Sequence, residues 1–422
     1  MSPLYHVHAR DPWFLRFHDL MAFRIREILL VSPAYDAFIL EEDGRLTERL
    51  YSEYSELDLS LAPRITHVST AARALETLGD RRFDMVITVV RLKDMPVADF
   101  AFKVKQQFGD MPVVLLTFDQ ADMEQCPGGV CPIGIDRMLL WTGDARILMA
   151  GIKLIEDVRN VERDTRIAGV QVIIVVEDSV QRYSSFLTLL YTELMRQSSS
   201  LIAEGLNDLH RRMRMAARPK ILLATNWEEA IAHYERYKDH LFALISDVRF
   251  PREGVEVPGA GFELVAALRA TEDDLPILLQ SAESVNAARA EEMGCIYADK
   301  NSPDLLAQIR SFMTRNLGFG DFVFRLPNGA VVGRAADVYE MERQLAIVPA
   351  ESIEYHADYN HFSIWLKARC MFPLAAQIRP RTNAEFIDIQ HLREYLRRSL
   401  RDARLQEQAG MIADFSSRQS GS

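Results

Sequence analysis

The sequence predicts an α/β protein: two doubly wound units, each on a five-stranded parallel sheet, followed by a mainly helical module. Three observations carry this. Short, nearly continuous apolar runs alternate with helical segments over residues 22–318, as parallel strands covered on both faces require. The runs also form an internal repeat. Arg26–Ser32 (REILLVS) aligns with Gln171–Glu177 (QVIIVVE), Pro63–Val68 with Pro219–Ala224, Met85–Arg91 with Ala243–Arg249, and Pro112–Thr117 with Pro276–Ser281. After Gly320 the alternation stops and helical periodicity dominates.

In chain order, residues 1–21 form an N-terminal extension and residues 22–160 the first unit, with strands at Ile28–Val31, Met85–Val90 and Val113–Leu116 and a helix at Thr70–Leu78. A helix from Ala145 to Arg166, with Ile147, Leu154, Val158 and Val161 along one stripe, joins the units. The second unit, residues 165–318, has strands at Val172–Val176, Leu241–Ile245 and Ile277–Leu279 and a helix at Glu228–Tyr237. It carries an insertion over about 192–218, in which Leu201, Ile202, Leu206 and Leu209 form a helical stripe before the basic run His210–Arg214. That run reads as a solvated helix end ahead of a subunit interface, and nucleic-acid contact ranks third. Ser302 and Pro303 are the candidate N-cap and first residue of the last helix of this unit, which Leu305, Ile309 and Met313 mark by their spacing. In residues 319–410, Asn328-Gly329 predicts a hairpin between Phe322–Leu326 and Ala330–Val332, followed by helices at Ala335–Ile347, His361–Ile378 and Ala384–Gln406. Residues 411–422 read as a tail, small and polar from Ser416, or as the cut end of a longer protein.

Composition narrows the functional classes. With 48% hydrophobic and 26% charged residues, the chain has globular proportions. No apolar run spans a bilayer and no secretory signal opens the chain, so a cytoplasmic protein without a membrane partner is expected. The net charge of −11 disfavours nucleic acid as a partner. Cys126, Cys131, Cys295 and Cys370 are scattered, which suits reduced thiols and no zinc site. His356 and His361, five residues apart, lack a completing ligand set and read as structural, or as flanking a cap at Asn360.

The repeat differs at its strand ends. The second copy has Glu177, Asp178, Asp247, Ser281 and Lys300 where the first has Ser32, Pro33, Val89, Thr117 and Trp141. In a doubly wound sheet the carboxyl ends of the central strands converge on one crevice, so the three carboxylates should share a pocket. Two unit charges about 4 Å apart repel by roughly 4 kcal/mol at an effective dielectric of 20. Such a pocket needs a cation or a proton, and an all-oxygen donor set favours Mg²⁺. Beside that ion a carboxylate can attack a phosphoryl group in line. Asp247 is the candidate nucleophile, with Glu177 and Asp178 as further metal ligands. Lys300 would pair with the phosphoryl oxygens, Ser281 would donate a hydrogen bond, and Tyr297 would swing inward as Ser281 moves. Any one of these residues alone would be an ordinary cap or surface group; their joint placement in chain order gives the set its weight.

That order resembles bacterial response-regulator receiver domains, which have a flavodoxin-like fold. Their pattern is an acidic pair after strand one, a phosphorylated Asp after strand three, Ser or Thr after strand four and Lys after strand five, here Glu177-Asp178, Asp247, Ser281 and Lys300, with Tyr297 as the switch aromatic. The resemblance implies Mg²⁺-dependent transfer from a phosphohistidine on a sensor histidine kinase or phosphotransfer protein. Residues 22–160 resemble a degenerate receiver, with Val89 for the acceptor and Trp141 for the lysine. Arg249 and Glu283 stand at positions that modulate dephosphorylation in that family, and are expected to pair across the pocket mouth. A second resemblance, carried by FRIREILLVSPAYDAFILEEDGRL, EDSVQRYSSFLTLLYTELMRQ and YHADYNHFSIWLKAR, is to the N-terminal regulatory half of phosphoenolpyruvate-synthase-like, pyruvate/phosphate-dikinase-like bacterial proteins. It implies a regulatory chain and not an enzyme. Two other functions compete: a phosphorylation-independent scaffold or dimerisation protein, and a haloacid-dehalogenase-like phosphatase. The latter commonly has a second acid two residues after its nucleophile, where Arg249 stands. A homodimer is expected from the apolar stripe of the insertion.

Overall fold

A computed structural model describes residues 19–40, 45–56, 62–124, 132–200, 216–271, 274–379 and 385–419. Cys126, Cys131, the stripe from Leu201 to Leu209 and the run His210–Arg214 lie outside these residues.

The first sheet consists of β1 (Glu27–Val31), β2 (Arg64–Val68), β3 (Met85–Val89), β4 (Val113–Thr117) and β5 (Arg137–Leu140). They are parallel in the order β2-β1-β3-β4-β5. Around it lie α1 (Ala34–Phe38), α2 (Leu46–Glu56), α3 (Ala71–Asp80), α4 (Val97–Phe108), α5 (Gln120–Glu124) and the long α6 (Arg146–Ala168). Thr70 caps α3 by accepting the Arg73 amide hydrogen.

The second unit repeats the plan. β6 (Val172–Val176), α7 (Val180–Ser200), β7 (Lys220–Ala224), α8 (Trp227–Tyr237) and β8 (Leu241–Asp247) lead into a small antiparallel ribbon, β9 (Phe250–Arg252) and β10 (Val255–Val257). Then come α9 (Ala260–Arg269), β11 (Ile277–Ser281), α10 (Asn286–Glu292), β12 (Ile296–Asp299) and α11 (Leu305–Asn316). The sheet order, β7-β6-β8-β11-β12, matches the first. Both are doubly wound, flavodoxin-like α/β sheets.

The third module holds the hairpin β13 (Phe322–Arg325) and β14 (Val331–Ala335), then α12 (Val338–Leu345), α13 (Ala350–Asp358), α14 (His361–Ala368), α15 (Phe372–Ile378) and α16 (Ile389–Gln419). Gly329 closes the hairpin at φ +86°, a conformation that favours glycine. Its core gathers Phe322, Phe324, Trp365, Leu366, Leu392 and Leu396.

Several local expectations are corrected. The last helix of the second unit starts at Leu305, because Ser302 uses its hydroxyl and carbonyl in a turn, accepting the amides of Asp304 and Leu305. Val158 is exposed, since α6 turns its other flanks to its neighbours. Thr192–Ser200 continues α7, so the start of the expected insertion lengthens that helix. After Asp247 the segment RFPREGVEVPGAG, rich in Pro and Gly and expected to be a long loop, forms a ribbon, as Val255–Val257 pairs with Phe250–Arg252. His361–Ile378 is two helices, because Cys370 adopts φ +59° and breaks the run. The helix α13 precedes them, a segment the sequence reading left without one. Asn360 adopts φ +53° and gives α14 no side-chain cap. α16 continues through Gln419, into the stretch expected to be a tail.

The units are joined through α6 and α7. β2, an edge strand, has no fully buried residue, whereas β7, its counterpart in the repeat, is buried throughout. α6 covers β7 and turns a row of polar side chains inward. Glu156, Asn160 and Asp164 accept the main-chain amides of Ile25, Phe23 and Met21, so this row clasps the extended segment ahead of β1. Asp164 also pairs with the buried Lys220 at 3.0 Å. Asp157 holds the buried Arg218 through two hydrogen bonds of 2.7 and 2.9 Å.

Candidate functional site

The carboxyl ends of β6, β8, β11 and β12 meet above the second sheet. Glu177 and Asp178 follow β6, Asp247 ends β8, Ser281 ends β11 and Lys300 follows β12. Register explains the convergence, since Val176 pairs with Ser246, and Gln280 with Asp247, on adjacent strands. Gly261, near the start of α9, allows this helix to press on the strand end. A Cβ there would lie 2.3 Å from the Asp247 carbonyl oxygen.

One oxygen each of Glu177, Asp178 and Asp247 lie within 4.8 Å of one another. Glu177 is fully buried, while Asp247 and Lys300 are 7% and 8% exposed. The Lys300 ammonium contacts Asp247 Oδ2 and lies 2.7 Å from Glu177 Oε2. Asp247 Oδ1 accepts the Arg249 amide at 3.2 Å. Burial pushes the Glu177 carboxyl up to about 7, with Asp247 adding to the rise and the Lys300 charge opposing it. Asp178 is raised by burial and then by Asp247. Burial thus holds Glu177 and Asp178 above the ordinary carboxylate range, and the charge of Asp247 adds to both. Three hard oxygen donors gathered in a buried pocket fit a divalent cation of the Mg²⁺ type.

The rim departs in detail from expectation. Ser281 Oγ accepts the Glu283 amide at 3.1 Å and the Asn286 side-chain amide at 2.9 Å; its own proton is left to donate. The half-exposed Tyr297 gives its hydroxyl to the carbonyls of Ser281 and Glu283, so its ring is tied to the loop after β11. The Arg249 guanidinium pairs with Glu283 from that loop and sits 3.6 Å from Glu256 of the ribbon. It thus spans the mouth. Below, Gln280 donates to Glu177 Oε2 at 3.2 Å. Gln280, Asn286 and Glu256 escaped the sequence reading. For Gln280 a signal existed, because the repeat places Leu116 at the same position.

In the first unit Ser32, Val89, Thr117 and Trp141 are all buried at the corresponding strand ends. The charges at that end are instead Arg91 and Asp122, paired at 3.0 Å; Asp36 is raised by burial and then by Asp122.

Among the described residues no helix is long and apolar enough to cross a membrane. No family model and no curated protein matches the chain. Among solved structures it is similar to the signal receiver domain of an HD domain-containing protein from Pseudomonas fluorescens Pf-5, at 24% identity over 34% of this chain and 94% of that one, with a TM-score of 0.26. It is also similar to the chemotaxis response regulator CheY4 of Vibrio cholerae, at 15% identity over 31% and 97%, with a TM-score of 0.24. A third is NtrX from Brucella abortus, at 14% identity over 89% and 100%, with a TM-score of 0.24. The doubly wound fold stands on the strand orders given above.

Proposed function

We propose that the second α/β unit is a phosphoryl-accepting regulatory domain. Asp247 attacks the phosphorus of a phosphohistidine on a sensor histidine kinase or phosphotransfer protein. A P–O bond forms on the carboxylate, the P–N bond of the donor breaks, and the electron pair returns to the imidazole. Glu177, Asp178 and Asp247 would hold Mg²⁺, which supplies charge neutralisation for the transferred group. Lys300 then turns from carboxylate to phosphoryl oxygen, and Ser281 donates its free hydroxyl proton to another. Tyr297, tied to the same loop, follows the movement of Ser281.

The observation that carries this reading is the contact of the Lys300 ammonium with Asp247 and Glu177, in a pocket of three carboxylates at converging strand ends. On this reading the chain is a regulator and not an enzyme, acts in the cytoplasm as a homodimer, and resembles the regulatory half of phosphoenolpyruvate-synthase-like proteins. The first unit, with Val89 and Trp141 at the key positions, takes no phosphoryl group. Residues 319–410 would then relay the state of Asp247.

The test is intact-mass spectrometry after incubation with acetyl phosphate and Mg²⁺. The wild type should gain one phosphoryl group and Asp247→Asn none. An unmodified wild type, or a modified Asp247→Asn, would overturn the reading.

A further inference from the structure

The inner face of the second sheet carries one polar side chain that the chemistry above does not use. Registered neighbours in a parallel sheet present their side chains to the same face. Gln280 is registered with Asp247, and Glu177 follows the pair Val176–Ser246. Glu177, Asp247 and Gln280 thus form a row across three adjacent strands. Gln280 is wholly buried in an otherwise apolar stretch, Ile277–Leu279. Its Nε2 donates to Glu177 Oε2, the oxygen that also faces Lys300, while Glu177 Oε1 accepts the Ser179 amide at 3.3 Å. The Gln280 Oε1 is buried without a hydrogen-bond partner.

That arrangement is costly as packing. A buried amide oxygen without a hydrogen bond is destabilising, and a leucine would fill the position without this cost. The repeat supplies the comparison: the same position in β4 is Leu116, fully buried, in the copy with Ser32 in place of Glu177. The amide occurs in the copy that has the acid and is absent from the copy that lacks it.

We infer that Gln280 is a positioning residue for the cation site: it fixes the Glu177 carboxylate in the orientation in which Glu177, Asp178 and Asp247 take a divalent ion together. This rests on the reading of those three residues as the cation site. Partners that orient metal ligands without touching the metal typically contribute 10–100-fold in metal affinity. Asp247, Lys300 and the backbone need not move when the amide is lost; the Glu177 carboxylate is freed to rotate.

The test uses the full chain and Mn²⁺ as the probe, with free ion followed by electron paramagnetic resonance. Gln280→Leu installs the residue of the first copy, and Gln280→Met keeps the length without the donor; near-ultraviolet circular dichroism reports their folding. The expected result is at least about tenfold weaker Mn²⁺ binding in a folded variant. Binding within twofold of wild type in either folded variant overturns the inference. As a measurement independent of the variants, the Gln280 side-chain amide resonance of the wild type should shift on Mg²⁺ addition, and an unmoved resonance in a protein that binds the ion also overturns it. Wild-type protein that binds no Mn²⁺ sinks the cation site itself, which separates that failure from a failure of Gln280 alone.

Discussion

Tyr183 donates its phenolic hydrogen to the Met138 carbonyl across 2.6 Å, and the next residue, Ser184, accepts the Leu140 amide at 3.0 Å. β5 is an edge strand of the first sheet, so its outer main-chain groups would otherwise lie unpaired. The first helix of the second unit therefore completes the first sheet. Removing the hydroxyl in Tyr183→Phe strands a buried carbonyl and should lower stability by about 1–3 kcal/mol. Urea unfolding would show this as an earlier midpoint with an unchanged slope, and an unmoved midpoint would contradict it.

Asp157 is the counterpart of this contact on α6. Its carboxylate takes two hydrogen bonds from Arg218, one from Tyr191 and one from the Ile221 amide. Asp157→Ala leaves a buried guanidinium without its counter-charge and should cost about 3–5 kcal/mol. Asp157→Leu combined with Arg218→Met should recover much of that loss. Calorimetry on the single and double variants checks both, and a double variant as weak as the single one would refute the account.

The third module predicts a pH dependence. The Arg325 main-chain amide donates to His356 Nε2 at 2.8 Å, so the proton of His356 sits on Nδ1 and is shared with His361 Nδ1 at 2.9 Å. This chain of donors requires both rings neutral. Burial, and then the neighbouring His361 and Arg325, depress His356 to about 3, and burial depresses His361 to about 4. The unfolded chain binds these protons near pH 6.5. Stability from this pair is therefore fully present above that pH and is lost as pH falls toward the folded values. Melting temperature should decline below pH 6.5, more steeply in wild type than in the double variant His356→Phe/His361→Phe. Parallel declines would reject the mechanism.

Divalent-ion binding should also follow pH. Glu177 is raised to about 7 by burial and by Asp247, against Lys300, and only its ionised form binds a metal. Mn²⁺ affinity should fall as pH drops from 8 to 6 and approach a tenfold loss per unit below the Glu177 value. Calorimetry across that range measures it, and a flat profile would exclude Glu177 as a ligand.

Arg249 bridges Glu283 and Glu256 over the mouth of the pocket. All three side chains are about half exposed, so the bridge contributes about 0–1 kcal/mol to stability and opens readily. Its expected role is to shield the acyl phosphate from water. Arg249→Ala should shorten the phosphoryl lifetime several-fold, as followed by mass spectrometry, while leaving the melting temperature nearly unchanged. A lifetime equal to wild type would remove this role.

Much of the site was legible because it lies on a repeat. Strand ends are marked by where apolar runs stop, so Glu177, Asp178, Asp247 and Lys300 could be placed together from order alone. Ser281 and Tyr297 were placed on the right strands, but their hydrogen bonds run to Asn286 and to main-chain carbonyls, which spacing does not encode. The ribbon of Phe250–Val257 was missed because Pro251, Gly254 and Pro258 read as loop. Gln280, a single amide in an apolar strand, carries no periodicity, and only its alignment with Leu116 of the first copy marks it.

The sequence by itself determined the two α/β units, the strand-for-strand correspondence of one copy with the other, and the acids at the strand ends of the second copy. These follow from local periodicity and from the fixed geometry of parallel crossovers. Only the tertiary structure decided that β7 is buried, that Lys220 and Arg218 find acids on α6, that Tyr183 caps β5, and that His356 and His361 share a proton. The reason is physical: a buried charge or a capped edge depends on which distant group arrives to satisfy it, and arrival is a property of packing between elements far apart in the chain.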